Sequence, residues 1–317
     1  MSETNEYNKG ISRRDALKRM GMLVAGAAAL GMPSALTSCV RKERKRIIFY
    51  FTATGNSLYV ARQLADEHTE LLSIPQLMKR KRLEFEADEI GIVYPIYGQM
   101  PPNMVCRFIQ KARLEAAYKF AVLTYGNMQF VATELWDEIS RKAGGTPFDY
   151  IYITSILMVD NWLPNFDMSE QIKIDKHIPE SLERIKADQA VRKHEIPAAS
   201  EQAKQLFNRF ISDRGLDPSV GYLMHSEDYF VITDACVGCA VCTEVCPRGN
   251  YELTSAGVKI EGDCDFCFAC IQNCPQKAIH FQSLPNDPLL ARGEVNPDAR
   301  YRNEHVSLWS IKESNRQ

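Results

Sequence analysis

A chain of 317 residues in which 45% are apolar and 25% charged can bury an ordinary core, and it is too apolar to stay disordered. Its formal charge of -2 gives no reason to expect nucleic acid or an acidic polymer as a partner, and six scattered histidines in no HExxH-like spacing argue against a histidine metal site. Of its 10 cysteines, all but Cys39 and Cys106 fall between Cys236 and Cys274.

In chain order, Ser12-Arg13-Arg14-Asp15-Ala16-Leu17-Lys18 precedes a mildly apolar run from Met20 to Leu36, rich in alanine and glycine, and Cys39 follows. This resembles a twin-arginine export signal, and Leu36-Thr37-Ser38-Cys39 resembles a lipobox, whose cysteine becomes the lipidated first residue of a bacterial lipoprotein. The resemblance implies a signal over residues 1–38, a lipid anchor at Cys39 and a place on the periplasmic or outer side of the membrane. The twin-arginine route carries folded proteins with cofactors already installed. The competing reading is an uncleaved membrane helix with a chance cysteine; if the signal is not functional, the chain is expected to be cytoplasmic. Gly26, Gly31 and Pro33 interrupt the run, which is short for a span. Arg41-Lys42-Glu43-Arg44-Lys45-Arg46 then closes a basic tether, residues 39–46, read as a solvated linker in preference to a contact with anionic head groups.

The globular part is expected to open at Ile47. Ile47 to Phe51 is a short apolar run of the kind buried on both faces of a parallel sheet, and it leads into Thr52-Ala53-Thr54-Gly55-Asn56-Ser57. A helix should follow, with Ser57 near its start and Leu58, Val60, Ala61 and Leu64 as its apolar side. Strand, hydroxyl-rich loop and helix make a phosphate site, since backbone N–H groups and the hydroxyls of Thr52, Thr54 and Ser57 can surround a phosphate without any lysine. Such a turn can also do no more than cap a helix. No Gly-Lys-[Ser/Thr] follows as in a Walker loop, and there is no GxGxxG. The loop resembles that of the flavodoxin family, [TS]-x-T-G-x-[TS], which holds the phosphate of FMN.

After Lys79-Arg80-Lys81-Arg82, read as a solvated loop, a second strand is expected from Glu89 to Tyr94, ending in Pro95-Ile96-Tyr97-Gly98. Pro101 opens a helix to about Arg113, with Cys106 a buried thiol on it. A third strand, Lys119 to Thr124, ends in Tyr125-Gly126-Asn127, and a helix from Val131 to Lys142 follows. Both loops fall at strand carboxyl ends, where doubly wound sheets bind ligands. The flavodoxin resemblance implies that these loops flank the isoalloxazine. Tyr97 is then the stacking candidate, with contacts from Gly98, Tyr125, Gly126 and Asn127; a tyrosine there can equally just cover the sheet end. Phe148 to Leu157 reads as the next strand. Trp162, in the loop from Met158 to Asn165, reads as a flavin shield or, preferred, a core plug. Two or three helices are expected between Ser169 and Ile211.

Past Asp217-Pro218 the chain reads CVGCAVCTEVCP and, after a gap, CDFCFACIQNCP. Zinc favours pairs of CxxC at longer separation, and disulfides give no reason for two copies of a four-cysteine run. The spacing is that of the bacterial two-cluster ferredoxins, in which three thiolates of a run hold one [4Fe-4S] cluster and the fourth reaches the other. On that pattern Cys236, Cys239, Cys242 and Cys274 hold one cluster, and Cys264, Cys267, Cys270 and Cys246 the other. Tyr251 to Glu261 is expected to form a hairpin between the runs, and Ala278 to Phe281 a last strand.

Together these residues resemble the family that fuses a flavodoxin domain to a two-cluster ferredoxin domain. The implied fold is an α/β flavodoxin-like doubly wound parallel sheet over residues 47–216, a small α+β ferredoxin-like two-cluster domain over 217–283, and a tail, 284–317, with no functional reading. The implied cofactors are FMN and two [4Fe-4S] clusters. The implied function is a relay of electrons between them, to or from a redox protein or membrane donor at the cell envelope. The alternatives are a flavin-dependent reductase of a small acceptor fed by the clusters, and a disulfide-stabilised structural lipoprotein.

Overall fold

Side chains alternate between two buried layers along the first strand, β1 (Arg46–Tyr50): Ile47 and Phe49 face one layer and Ile48 the other. The computed structural model describes residues 44–143, 149–225, 229–255, 257–283 and 293–317, so the signal and Cys39 lie outside the described residues. After β1 come α1 (Asn56–Leu64), β2 (Thr69–Ser73), α2 (Ile74–Leu77), β3 (Glu84–Pro95), α3 (Asn103–Lys111), β4 (Arg113–Tyr125), α4 (Ala132–Lys142) and β5 (Tyr152–Leu157). The strands form one parallel sheet in the order β2-β1-β3-β4-β5. This is the flavodoxin-like doubly wound order, whose switch point lies between β1 and β3. Val60, Ala61 and Leu64 of α1 pack with Leu182 and Ile185 of a later helix on one face of the sheet. Phe108 of α3 and Trp136 of α4 pack on the other. Three further helices, α5 (Met168–Gln171), α6 (Ile178–Ala190) and α7 (Glu201–Ser212), precede the cysteine-rich part. Among the described residues no helix is long and apolar enough to cross a membrane.

The end of the basic run belongs to this fold. Arg46 begins β1 and is buried, donating to the Leu64 carbonyl at 2.9 Å and to Gln189 Oε1 at 2.6 Å. Glu89 on β3 is fully buried and meets the guanidinium groups of Arg44, of Arg46 at 3.6 Å and of Arg192 at 3.2 Å. Three guanidinium partners stand where a buried carboxylate lacks water, and removing it strands the buried Arg46. Glu89→Ala is therefore expected to lower unfolding free energy by about 3 kcal/mol, read by chemical denaturation. A loss below about 1 kcal/mol would show that solvent compensates.

The cysteine-rich part is built twice. It contains β6 (Met224–His225), β7 (Phe230–Ile232), α8 (Val241–Val245), a hairpin of β8 (Tyr251–Thr254) and β9 (Gly257–Ile260), β10 (Asp263–Cys264), α9 (Ala269–Asn273) and β11 (Ile279–Phe281). β11 pairs antiparallel with β7, and β10 with β6. The two cysteine runs repeat at a constant offset, and so does the backbone: positive φ occurs at Gly238 and Phe266, at Ala240 and Phe268, and at Gly249 and Lys277. For non-glycine residues this conformation costs roughly 1–2 kcal/mol each. At Phe266 and Phe268 full burial of the ring, contributing about 1.5–3 kcal/mol, offsets that strain. The apolar core runs unbroken from the sheet face of Phe49 and Phe108 to Phe230, Phe266, Ile271 and Phe281. A final helix, α10 (Leu308–Asn315), packs back against α8 and α2.

Candidate functional site

At the carboxyl edge of the sheet, the loops after β1, β3, β4 and β5 surround a cleft whose empty volume, open mouth included, is about 1150 Å³. Thr52, Ala53, Thr54, Asn56 and Ser57 line one end of it, and Tyr97, Gly98, Tyr125, Gly126 and Asn127 line the rest. Thr52, Thr54 and Ser57 are almost wholly buried. Thr52 Oγ1 accepts from the Gly55 N–H at 3.2 Å, and Thr54 Oγ1 accepts from Asn161 Nδ2 at 2.9 Å. Each hydroxyl is thereby oriented with its own proton left to donate, as a phosphate requires. Ser57 Oγ shares a hydrogen bond with Thr124 Oγ1 at 2.8 Å. These residues fit the phosphate of FMN. Gly55 is the exception among the loop residues, since it is absent from the cleft wall.

Gly55 serves the loop from behind. Its φ is 98°, and a Cβ there would stand 2.9 Å from Val306 Cβ and 3.0 Å from Asn303 Cβ. Gly126 is needed for closeness: a Cβ would fall 2.4 Å from Asp160 Cα. Tyr97 is half-buried and meets Phe51 edge-on at 6.3 Å. Burial pushes its phenol well above the usual range, so it stays neutral. Asp160 also lines the cleft, and burial raises its carboxyl, opposed by the N–H of Trp162, which donates to Oδ1 at 2.8 Å. Trp162 does not plug the core. It is half-buried on the cleft wall, stacked on Phe268 at 5.4 Å, because the loop after β5 folds over the cleft mouth. Cys106 is fully buried with its thiol pushed up to about 12 by burial, and it takes no part in the cleft.

Cys236, Cys239, Cys242 and Cys274 line one small cavity with Val237, Ala240 and Ile279. The Cys242 thiol is pushed up to about 11 by burial, with Cys236 and Cys274 adding repulsion. Burial likewise raises Cys264 and Cys267, which Cys246 and Cys270 reinforce, and Cys270 reaches about 12. Crowded, buried thiols of this kind ionise when a cationic core binds them. Backbone N–H groups already point at three of the sulfurs: Asn250 to Cys246 at 3.4 Å, Phe266 to Cys264 at 3.2 Å and Ala278 to Cys274 at 3.3 Å. Among the described residues no three Cys, His, Asp or Glu side chains gather as ligands of a single metal ion would. Two repeated runs of four cysteines suit clusters, whose iron corners hold the thiolates apart.

Two groups of residues escaped the sequence reading. Phe266 and Phe268, on either side of Cys267, form part of the cleft wall together with Phe210 and Tyr222. Aromatic residues set between cluster cysteines were the available signal; Phe210 on α7 had none. The second group is the tail. Tyr301 Oη and Asn303 Nδ2 donate to Asn56 Oδ1 at 2.6 and 3.2 Å, and the Asn303 N–H donates to the Thr54 carbonyl at 2.8 Å. Asn315, fully buried, donates to the carbonyls of Thr52 at 2.9 Å and Val245 at 3.1 Å, tying the phosphate loop to the helix between Cys242 and Cys246.

Residues 229–275 match the 4Fe-4S dicluster domain family. A ferredoxin of Methanothermococcus thermolithotrophicus is 40% identical over 50 residues, 14% of this chain and 83% of that protein. An iron-sulfur subunit of the Frd operon of Proteus vulgaris is 31% identical over 80 residues, 19% of this chain; the chain spans 51% of its length. In structure, a flavoprotein of Lactobacillus acidophilus, solved in complex with FMN, aligns with 35% of this chain and 93% of its own at 13% identity and a TM-score of 0.25.

Proposed function

Through residues 229–275 the chain belongs to the 4Fe-4S dicluster ferredoxin family, and from that premise we propose that it passes electrons between two [4Fe-4S] clusters and an FMN held in the cleft. One observation carries the reading: Phe266 and Phe268, each next to Cys267, line the same cleft as Thr52, Thr54 and Ser57. FMN supplies one- or two-electron exchange when bound, and each cluster handles single electrons. The chain's own residues do the positioning. Asn273 Nδ2 donates to the Ala53 carbonyl at 3.4 Å, and Gln272 Nε2 to the Asn161 carbonyl at 3.3 Å, so the helix before Cys274 is fastened to the phosphate loop and to the loop over the cleft. Trp162, Phe266 and Phe268 keep water from the wall between cleft and cysteines. Ligation follows the two groupings, Cys236, Cys239, Cys242 and Cys274 for one cluster and Cys264, Cys267, Cys270 and Cys246 for the other. The twin-arginine-like and lipobox-like residues support a placement at the envelope, anchored by lipid at Cys39 and facing a redox partner there.

The test is cofactor content of the chain purified without oxygen. About eight irons, matching labile sulfide and about one FMN per polypeptide are expected. Eight irons with no flavin, even after FMN is added, would reduce the loop at Thr52 to a helix cap.

A further inference from the structure

A second groove lies outside the cleft. Its walls include Met78 and Lys79 from the turn after α2, Met104 and Arg107 of α3, and Arg248 and Asp263 beside the cluster cysteines. Arg248 follows Cys246 by two residues, and Asp263 immediately precedes Cys264. Asp263 brings an exposed carboxylate to the wall, and the cations on this face are of two kinds. Arg248 is buried and neutralised by Asp265 at 2.6 Å, and Arg82 is paired with Glu84 at 2.7 Å. Lys79, Arg80, Lys81 and Arg107 are exposed, and among the described residues none has a carboxylate within ion-pair distance. The Lys79 amine is held over the groove by Gln76 Oε1 at 3.0 Å and the Arg316 carbonyl at 2.5 Å. Two of these cations, Lys79 and Arg107, stand in the wall of the groove beside Met78 and Met104, and Arg80 and Lys81 follow Lys79 in the chain, on a protein whose formal charge is -2. Methionine repacks readily against varied surfaces, and a local field of sign opposite to the molecule's own steers a complementary partner into one orientation.

We propose that this groove is the docking surface of an acidic redox protein, which exchanges single electrons with the cluster of Cys264, Cys267, Cys270 and Cys246. The inference rests on the cluster assignment above and not on FMN. Charge complementarity of this kind acts chiefly on association rate and is weakened by salt.

The test mixes the full chain, clusters oxidised, with a pre-reduced acidic plant-type ferredoxin in a stopped-flow instrument. One electron leaves the ferredoxin's centre and enters the cluster, and cluster bleaching reports the rate whether or not flavin is present. The rate constant is expected to fall as ionic strength rises. The exposed triple variant Arg80→Glu, Lys81→Glu, Arg107→Glu should be slower by about tenfold or more at low salt, with a flattened salt dependence. Reduction by reduced methyl viologen, a small cation, should not be slowed. An unchanged rate with ferredoxin overturns the proposal, and so does an equal slowing with viologen. Loss of binding to phosphatidylserine vesicles with the ferredoxin rate intact would also overturn it, assigning the patch to a membrane surface.

Discussion

Replacing Cys274 by alanine is expected to remove the cluster served by Cys236, Cys239 and Cys242 and to spare its neighbour, although Cys274 lies in the other run. Iron should fall from about eight to about four per chain. The reason is geometric: Cys274 shares a small cavity with Cys236, Cys239 and Cys242. Cluster binding is part of the folding free energy of this region, so the variant should also melt earlier. Cys246→Ala is the mirror experiment, losing the cluster adjacent to Phe266 and Phe268. Electron paramagnetic resonance of the reduced variants separates the two centres. Loss of the centre of Cys264, Cys267 and Cys270 in the Cys274 variant would mean that each run closes on itself.

The second large effect is expected from the tail. Tyr301→Phe with Asn303→Ala removes both donors to Asn56 Oδ1 and leaves the cysteines untouched. Each hydrogen bond contributes about 1 kcal/mol, and a loop that must be ordered on binding loses more. The FMN dissociation constant should rise about tenfold to a hundredfold, with iron content unchanged. Flavin fluorescence titration of the iron-loaded protein reads the affinity. An unchanged affinity would show that residues 51–57 hold their shape without the strap. Thr54→Ala serves as the reference, since it removes a hydroxyl from the cleft itself.

Much of this arrangement was legible in local pattern. β1, β3 and β4 each contain an unbroken apolar run, because their central parts are buried on both faces. β2 went unread. It is an edge strand with the sequence TELLS, partnered on one side only and half exposed, so it has no such run. The predicted strands also proved short: β3 begins at Glu84 and β4 at Arg113, where charged pairs alternate with apolar ones and break the apolar run. The basic tether was read from charge alone, and charge does not announce that Arg44 and Arg46 meet Glu89 across the sheet.

The cysteine runs, the loop from Thr52 to Ser57 and the strand-end loops at Tyr97 and Gly126 are short-range chemistry. Ligand spacing, hydroxyl spacing and glycine placement constrain a few neighbouring residues, so local residue order was enough to single out the cysteine runs and most of the loop residues that line the cleft. How those sites meet is a matter of tertiary packing. Asn56 and Tyr301, or Thr52 and Asn315, touch across most of the chain's length, and no periodicity encodes such a contact. It arises because one continuous apolar core brings the sheet edge, the cysteine repeat and the returning tail together, and burial rewards apolar area whatever its place in the sequence.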